Sequence, residues 1–204
     1  SSRRSMLNYE PWRDGDGHFG DDDVSGRNLL MMDAKIQQAV SSQINLEFAA
    51  SYSYLAMGIY MEARHLSGFA SWMVQQSNEE QSHAQRLLRY MLYRDAYVTL
   101  ETIPKPRVDY EGIHEVFSVS LEQEKSNTAS INELYALARD LKDYATQAHL
   151  QWFLDEQVEE EKTICDILGR LELAVDDRTA LLLLDEHMGK RSSEGIDAVS
   201  FTDK

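Results

Sequence analysis

Apolar residues recur at steps of three, four and seven along four stretches of about thirty residues each, and that pattern leaves few folds open. Ile36, Val40, Ile44, Tyr54 and Met61 fall on one helical stripe, as expected for an amphipathic helix packed on one face. Phe69, Met73, Leu87 and Tyr90 form a second stripe, Phe117, Leu121, Ile131, Tyr135 and Ala138 a third, and Leu150, Phe153, Ile164, Ile167 and Leu171 a fourth. Only ten glycines and three prolines interrupt 204 residues, so long unbroken helices are the natural outcome. The spacing predicts helices over 33–65, 69–94, 113–141 and 144–173, with a short fifth over 178–188. Asp33 is placed to cap the first, and Ser67-Gly68 is the expected break after it.

The connections fix the topology. Helices one and two join through a short turn, as do three and four, so each pair forms an antiparallel hairpin. A thirty-residue helix is about 45 Å long. The segment 96–112 contains Pro104 and Pro106 and cannot continue a helix; seventeen extended residues reach up to ~58 Å. It can run the whole bundle length and leave helices two and three parallel. The expected fold is therefore all-α: an antiparallel four-helix bundle with one long crossover and a short C-terminal helix, over 33–189. Residues 1–32, with Asp14-Gly15-Asp16-Gly17 and Asp21-Asp22-Asp23, carry no helical period and read as a flexible extension; 190–204 read as a flexible tail.

Each stripe is broken near its midpoint by groups that do not belong in a core. These are Glu47 in the first, Glu80 and His83 in the second, Glu124 in the third, and Gln157 and Glu160 in the fourth. Glu47 and Glu80 are 33 residues apart, as are Glu124 and Gln157; a shift of 77 carries Glu47, Glu80 and His83 onto Glu124, Gln157 and Glu160. The second hairpin thus repeats the polar placement of the first, and antiparallel packing gathers all six at mid-bundle. A buried carboxylate is expensive unless paired or bound to a cation, with an idealised desolvation cost of order 20 kcal/mol. Four helices sharing that cost at one height point to a metal site. Oxygen donors with one imidazole and no thiolate suit iron or manganese better than structural zinc, and an i, i+3 pair on two helices is the arrangement of di-iron bundles. Tyr54, seven residues after Glu47, lies on the same face. The remaining histidines, His149 among them, read as packing or surface groups, and Cys165 as a small buried or half-buried side chain.

Charge narrows the partners. A formal net charge of −15 argues against nucleic-acid backbones and anionic membrane surfaces and suits the gathering of cations. The longest apolar run near the C-terminus, 180–184, is far too short to span a bilayer. One cysteine rules out an internal disulfide framework.

The chain resembles the non-haem ferritins of bacterial and algal type. The resemblance is carried by Asn45-Leu46-Glu47, by Glu79-Glu80-Gln81-Ser82-His83-Ala84-Gln85-Arg86-Leu87, by Ile131-Asn132-Glu133-Leu134, and by the run from Gln151 to Lys162. It implies a ferroxidase that oxidises Fe(II) with O2 at a di-iron centre inside each subunit and stores ferric oxide in a hollow homo-oligomeric shell of 24 subunits. In that family Glu47, Glu80 and His83 would hold one iron and Glu80, Glu124 and Glu160 the second, with Glu80 bridging. Gln157 and Tyr54 would stand beside the pair, so that the catalytic set is Glu47, Tyr54, Glu80, His83, Glu124, Gln157 and Glu160. Glu79, Glu156 and Glu159 match the acids of a third, inner iron site in some bacterial members. Bacterioferritins place a second Glu-x-x-His on the fourth helix; Gln157-x-x-Glu160 stands there instead, so no haem is expected. The alternative is a rubrerythrin-like or other di-iron oxidoreductase on the same bundle without a storage cavity. The start of the chain, Ser- and Arg-containing without an initiator Met, reads together with the algal likeness as the product of leader removal in a plastid or another organelle, with the cytoplasm as the second choice.

Overall fold

The structure is a computed structural model and describes residues 32–192. The expected extension and tail lie outside the described residues, except for Met32 and residues 190–192. Five helices follow in order: α1 Ala34–Glu62, α2 Ser67–Tyr93, α3 Ile113–Asp140, α4 Tyr144–Leu173 and α5 Arg178–Ser192. The stripes read from the sequence are the ones that turn inward: Ile36, Val40, Ile44, Tyr54, Met61, Phe69, Met73, Leu87, Phe117, Ile131 and Ile164 are all fully buried. Met32, counted with the extension, is buried as well, and its carbonyl accepts a hydrogen bond from Gln37 Nε2 at 2.7 Å.

Cross-helix bonds give the directions. Ser51 on α1 meets Ser77 on α2, while Gly58 approaches Ala70 and Val74, so the first hairpin is antiparallel. Tyr54 meets Glu124 and Met57 meets Ser120, which sets α3 antiparallel to α1. The crossover then has to run parallel to α1, and its anchors advance along that helix. Tyr97 N donates to Gln37, Asn45 binds both Thr99 O and Glu101 N, and Tyr60 Oη donates to Tyr110 O at 2.8 Å. From Gln37 to Tyr60 is about 35 Å of helix, the length the two prolines forced the connection to cover without helix.

The breaks differ from expectation in a specific way. The first hairpin turn occupies 63–66, ahead of Ser67-Gly68, and its left-handed residue is His65 at φ 60°. Asp95 and Lys142 serve the same role after α2 and α3, at φ 49° and 59°. Gly68 lies within α2, and its missing side chain makes room for α5: a Cβ there would stand 1.7 Å from the backbone oxygen of Asp185. At that crossing Asp185 Oδ1 accepts the Phe69 amide at 2.9 Å. It thereby caps a helix whose own N-cap residue, Leu66, offers no side-chain bond, and it places a carboxylate at the positive end of the α2 dipole. Asp143 caps α4 through Thr146 N at 3.0 Å and also pairs with Arg94 at 3.1 Å, tying the end of α2 to the start of α4. Cys165 is exposed, not buried or half-buried as expected, because it falls between Ile164 and Ile167 on the outward side of α4.

Two apolar clusters make up the interior. One contains Met57, Met61, Phe69, Trp72, Met73, Phe117, Ile164 and Ile167; the other contains Ile36, Val40, Ile44, Leu87, Met91, Ile131, Leu150 and Phe153. The layer between them is polar.

Candidate metal centre

That layer is formed by the residues whose spacing singled them out. Glu47 is 0% exposed, Glu80 3%, His83 5%, Glu124 0%, Gln157 2% and Glu160 8%. Each sits one or two turns from an apolar stripe residue of its own helix, so the same periodicity that buries the stripe buries the polar group. No lysine or arginine is buried among the described residues, and the carboxylates therefore have no permanent cation to offset their desolvation.

Glu47, Glu80 and His83 converge most closely. Each offers a donor atom within 4.8 Å of the others, and among the described residues this is the only set of three or more His, Cys, Asp or Glu that does so. His83 Nδ1 stands 3.2 Å from Glu80 Oε2, and the imidazole is walled by Trp152 and Phe153, each ring edge-on at 5.3 and 6.0 Å. Glu124 is turned toward other partners. Tyr54 Oη donates to its Oε1 at 2.5 Å, and Gln157 Nε2 donates to its Oε2 at 3.3 Å and to Thr128 Oγ1 at 3.2 Å. Glu80 belongs to the first group by distance and feels the charge of Glu124 as well as that of Glu47.

The electrostatics follow from crowding without a counter-charge. Burial, then the nearby Glu124 and Glu47, holds the Glu80 carboxyl well above the ordinary carboxylate range. Burial also raises Glu124, against the lowering effect of its bonds from Tyr54 and Gln157. Glu160 is pushed up to about 8 by burial and then by Glu124, Glu79, Glu156 and Glu159. The Tyr54 phenol is raised well above its usual value by burial and by Glu124. With no metal present such a site holds protons, and a divalent cation that displaces them meets hard oxygen donors already gathered. His149, read as a packing or surface group, proves to be a packing one: it stacks on Tyr90 at 4.1 Å, and burial lowers it to about 4.

The three outer acids are arranged more openly. Glu79, Glu156 and Glu159 line a cleft of about 160 Å³ together with Glu160, Trp72 and Gln76. Glu79 is half-buried and accepts from Gln75 at 3.0 Å and from Gln76, whereas Glu159 is exposed. They adjoin the layer through Glu160 but do not close on one another as Glu47, Glu80 and His83 do.

Two buried amides complete the layer and were not read from the sequence. Gln43 and Asn127, 1% and 7% exposed, both donate to Glu47, at 2.8 and 3.1 Å. The signal available was positional: Gln43 lies four residues before Glu47 and Asn127 three after Glu124, each on the inward face.

A helical bundle with one long crossover and a buried carboxylate–imidazole layer at mid-height defines a class: four-helix bundles able to hold metal in their core. A family model described as a ferritin-like domain matches residues 37–174. The bacterial non-heme ferritin of Staphylococcus aureus (strain USA300) is 36% identical over 162 residues, covering 79% of this chain and 98% of that protein; the non-heme ferritin of Staphylococcus epidermidis is 37% identical over the same length. Among solved structures, an open pore ferritin from the archaeon Archaeoglobus fulgidus superposes with a TM-score of 0.77 at 35% identity, covering 78% of this chain and 98% of that one. A humanized archaeal ferritin gives 0.77 at 37% identity, covering 78% of this chain and 96% of that one. The chain belongs to the ferritin family, whose work is iron storage. The reading as a rubrerythrin-like enzyme without a storage cavity gives way to that membership. The plastid expectation is corrected too: it leaned on an algal likeness, and these relatives are bacterial and archaeal, from organisms without plastids. Among the described residues no helix is long and apolar enough to cross a membrane.

Proposed function

We propose that the chain is a ferroxidase as well as a storage subunit: it binds two Fe(II) ions per subunit at the mid-bundle layer, passes their electrons to O2 and releases Fe(III) for storage. The observation that carries this reading is the convergence of Glu47, Glu80 and His83 within 4.8 Å in a buried site. These three are the proposed ligands of the first iron, and Glu80, Glu124 and Glu160 those of the second. The closeness of Glu80 to Glu47, together with the electrostatic influence of Glu124 on it, supports its bridging role. Carboxylate oxygens are hard donors that favour the ferric over the ferrous ion, which makes oxidation at such a site downhill. Two Fe(II) give one electron each, and the pair of electrons with two protons reduces O2 to hydrogen peroxide. Tyr54, bonded to Glu124, holds that carboxylate in place and stands next to the reacting pair; Gln157 fixes its other oxygen.

Glu79, Glu156 and Glu159 are the proposed hosts of a third iron, supported by their shared cleft with Glu160. The working unit spans residues 33–189, and the proposed assembly is a 24-subunit shell, in keeping with its ferritin relatives. Each subunit adds a formal −15, which favours cation uptake. A Glu80→Ala variant tests the reading: rapid aerobic Fe(II) oxidation, followed by absorbance, is lost while helical circular dichroism and assembly persist. Oxidation at the wild-type rate in that variant would refute it. Size-exclusion mass tests the shell, which elutes near twenty-four times 23.4 kDa.

A further inference from the structure

We propose that Gln43 and Asn127 are positioning residues of the metal centre, a two-amide clamp that holds the Glu47 carboxylate by both oxygens and leaves its remaining lone pairs facing the ion. The proposal rests on the function above in taking Glu47 as a ligand. Gln43 Nε2 donates to Glu47 Oε1 at 2.8 Å, from one turn earlier on α1. Asn127 Nδ2, reaching across from α3, donates to Glu47 Oε2 at 3.1 Å. A carboxylate oxygen has two lone-pair directions; the clamp takes one on each oxygen and leaves one on each for metal.

The bonds form a directed chain. Ser130 Oγ donates to Gln43 Oε1 at 2.6 Å, which occupies the oxygen of that amide and turns its NH2 inward. One of its two N–H groups goes to Glu47 and the other to Asn127 Oδ1. With its oxygen engaged, Asn127 in turn presents its own NH2 to Glu47. Neither amide can flip without setting a carbonyl oxygen against the carboxylate. Rotation of Glu47 away from the centre would break two bonds inside a buried layer and leave both amide donors unpaired. Groups that fix a ligand in this way act on metal affinity and on the ion's coordination geometry, commonly by ten- to a hundredfold. A pair that merely satisfied the interior would act on stability alone.

Co(II), whose visible d–d bands report coordination geometry and which O2 does not readily oxidise at such a site, is the probe. Asn127→Leu removes donor and acceptor together. Asn127→Ala also removes both groups, without filling their place with apolar bulk. Both are expected to weaken Co(II) binding ten- to a hundredfold and to alter the d–d bands, and to raise KM for Fe(II) more than they lower kcat. Ser130→Ala, which only releases the outer end of the chain, is expected to weaken binding several-fold. Wild-type affinity and wild-type bands in Asn127→Ala would overturn the clamp, and that variant decides the matter if Asn127→Leu does not fold. Glu80→Ala separates the two ideas. If it loses Co(II) while the Asn127 variants bind as wild type does, the clamp alone falls. If it binds Co(II) as well as wild type does, the site itself falls and the clamp with it.

Discussion

Because burial and the neighbouring acids push the Glu160 carboxyl up to about 8, metal entry should release protons, and Glu160→Gln should remove a defined part of that release. At pH 7 a carboxyl with that value is about nine-tenths protonated, and at pH 9 about one-tenth. A cation arriving beside Glu160 therefore expels about 0.9 proton from this residue at pH 7 and about 0.1 at pH 9. Glu80 and Glu124, also raised by burial, add their own protons to the total. Glutamine keeps the volume of glutamic acid and mimics its neutral form, so the variant should release about 0.9 fewer protons per subunit at pH 7 and be nearly indistinguishable from wild type in this respect at pH 9. Zn(II), which does not change oxidation state, serves as the ion. Calorimetric titration in buffers of different ionisation enthalpy yields the proton count as the slope of observed heat against buffer heat. Equal release from wild type and Glu160→Gln at pH 7 would show that Glu160 is already ionised in the empty site, and the account of the layer as proton-filled would be wrong.

The same shifts govern stability. A carboxyl raised on folding stays protonated where the unfolded chain has already ionised, so the folded state binds the extra proton and stability falls as pH rises. For Glu160 the window runs from the ordinary 4.5 to about 8, at about 1.4 kcal/mol per pH unit across it. The melting temperature of the apo-protein should fall from pH 5 to pH 8, and Zn(II) should restore it most at pH 8; a melting temperature that rises over that range contradicts the burial. Gly68→Ala drives a Cβ into the Asp185 backbone, which should displace α5 and cost roughly 1–3 kcal/mol or more; limited proteolysis near residue 178 should accelerate, and unchanged cleavage would show that the crossing is looser than the structure has it. Asp185→Ala removes the cap on Phe69 and should cost about 1 kcal/mol, read as a drop in the denaturation midpoint that Asp185→Asn largely avoids.

Helix periodicity made the fold legible because one rule places both kinds of residue. Ile44 and Glu47 differ by one turn on the same stripe, so recognising that Ile44 is buried located Glu47 with it. The repeat at 77 then tied four helices to one height. What the pattern could not disclose was which atoms meet. Glu124 shares the layer yet gives its oxygens to Tyr54 and Gln157, a choice made by rotamers, which periodicity does not encode. Gln43 and Asn127 escaped notice because amides occur on both faces of helices and carry no charge whose burial demands an explanation. Turns misled for a related reason. The glycine at 68 looked like a stop, but His65, Asp95 and Lys142 turn the chain in left-handed geometry, and Gly68 serves a helix that sequence reading had not brought near it.

The polar layer lies between two separate apolar clusters, and burial inclines three of its acids, Glu80, Glu124 and Glu160, toward holding hydrogen ions where no heavier cation is at hand. The subunit can thus finish folding in a cell starved of iron, each half of its interior closed by its own side chains. Loading afterwards is an ion exchange carried out inside a finished building, with the supply of metal and the making of protein free to follow separate schedules.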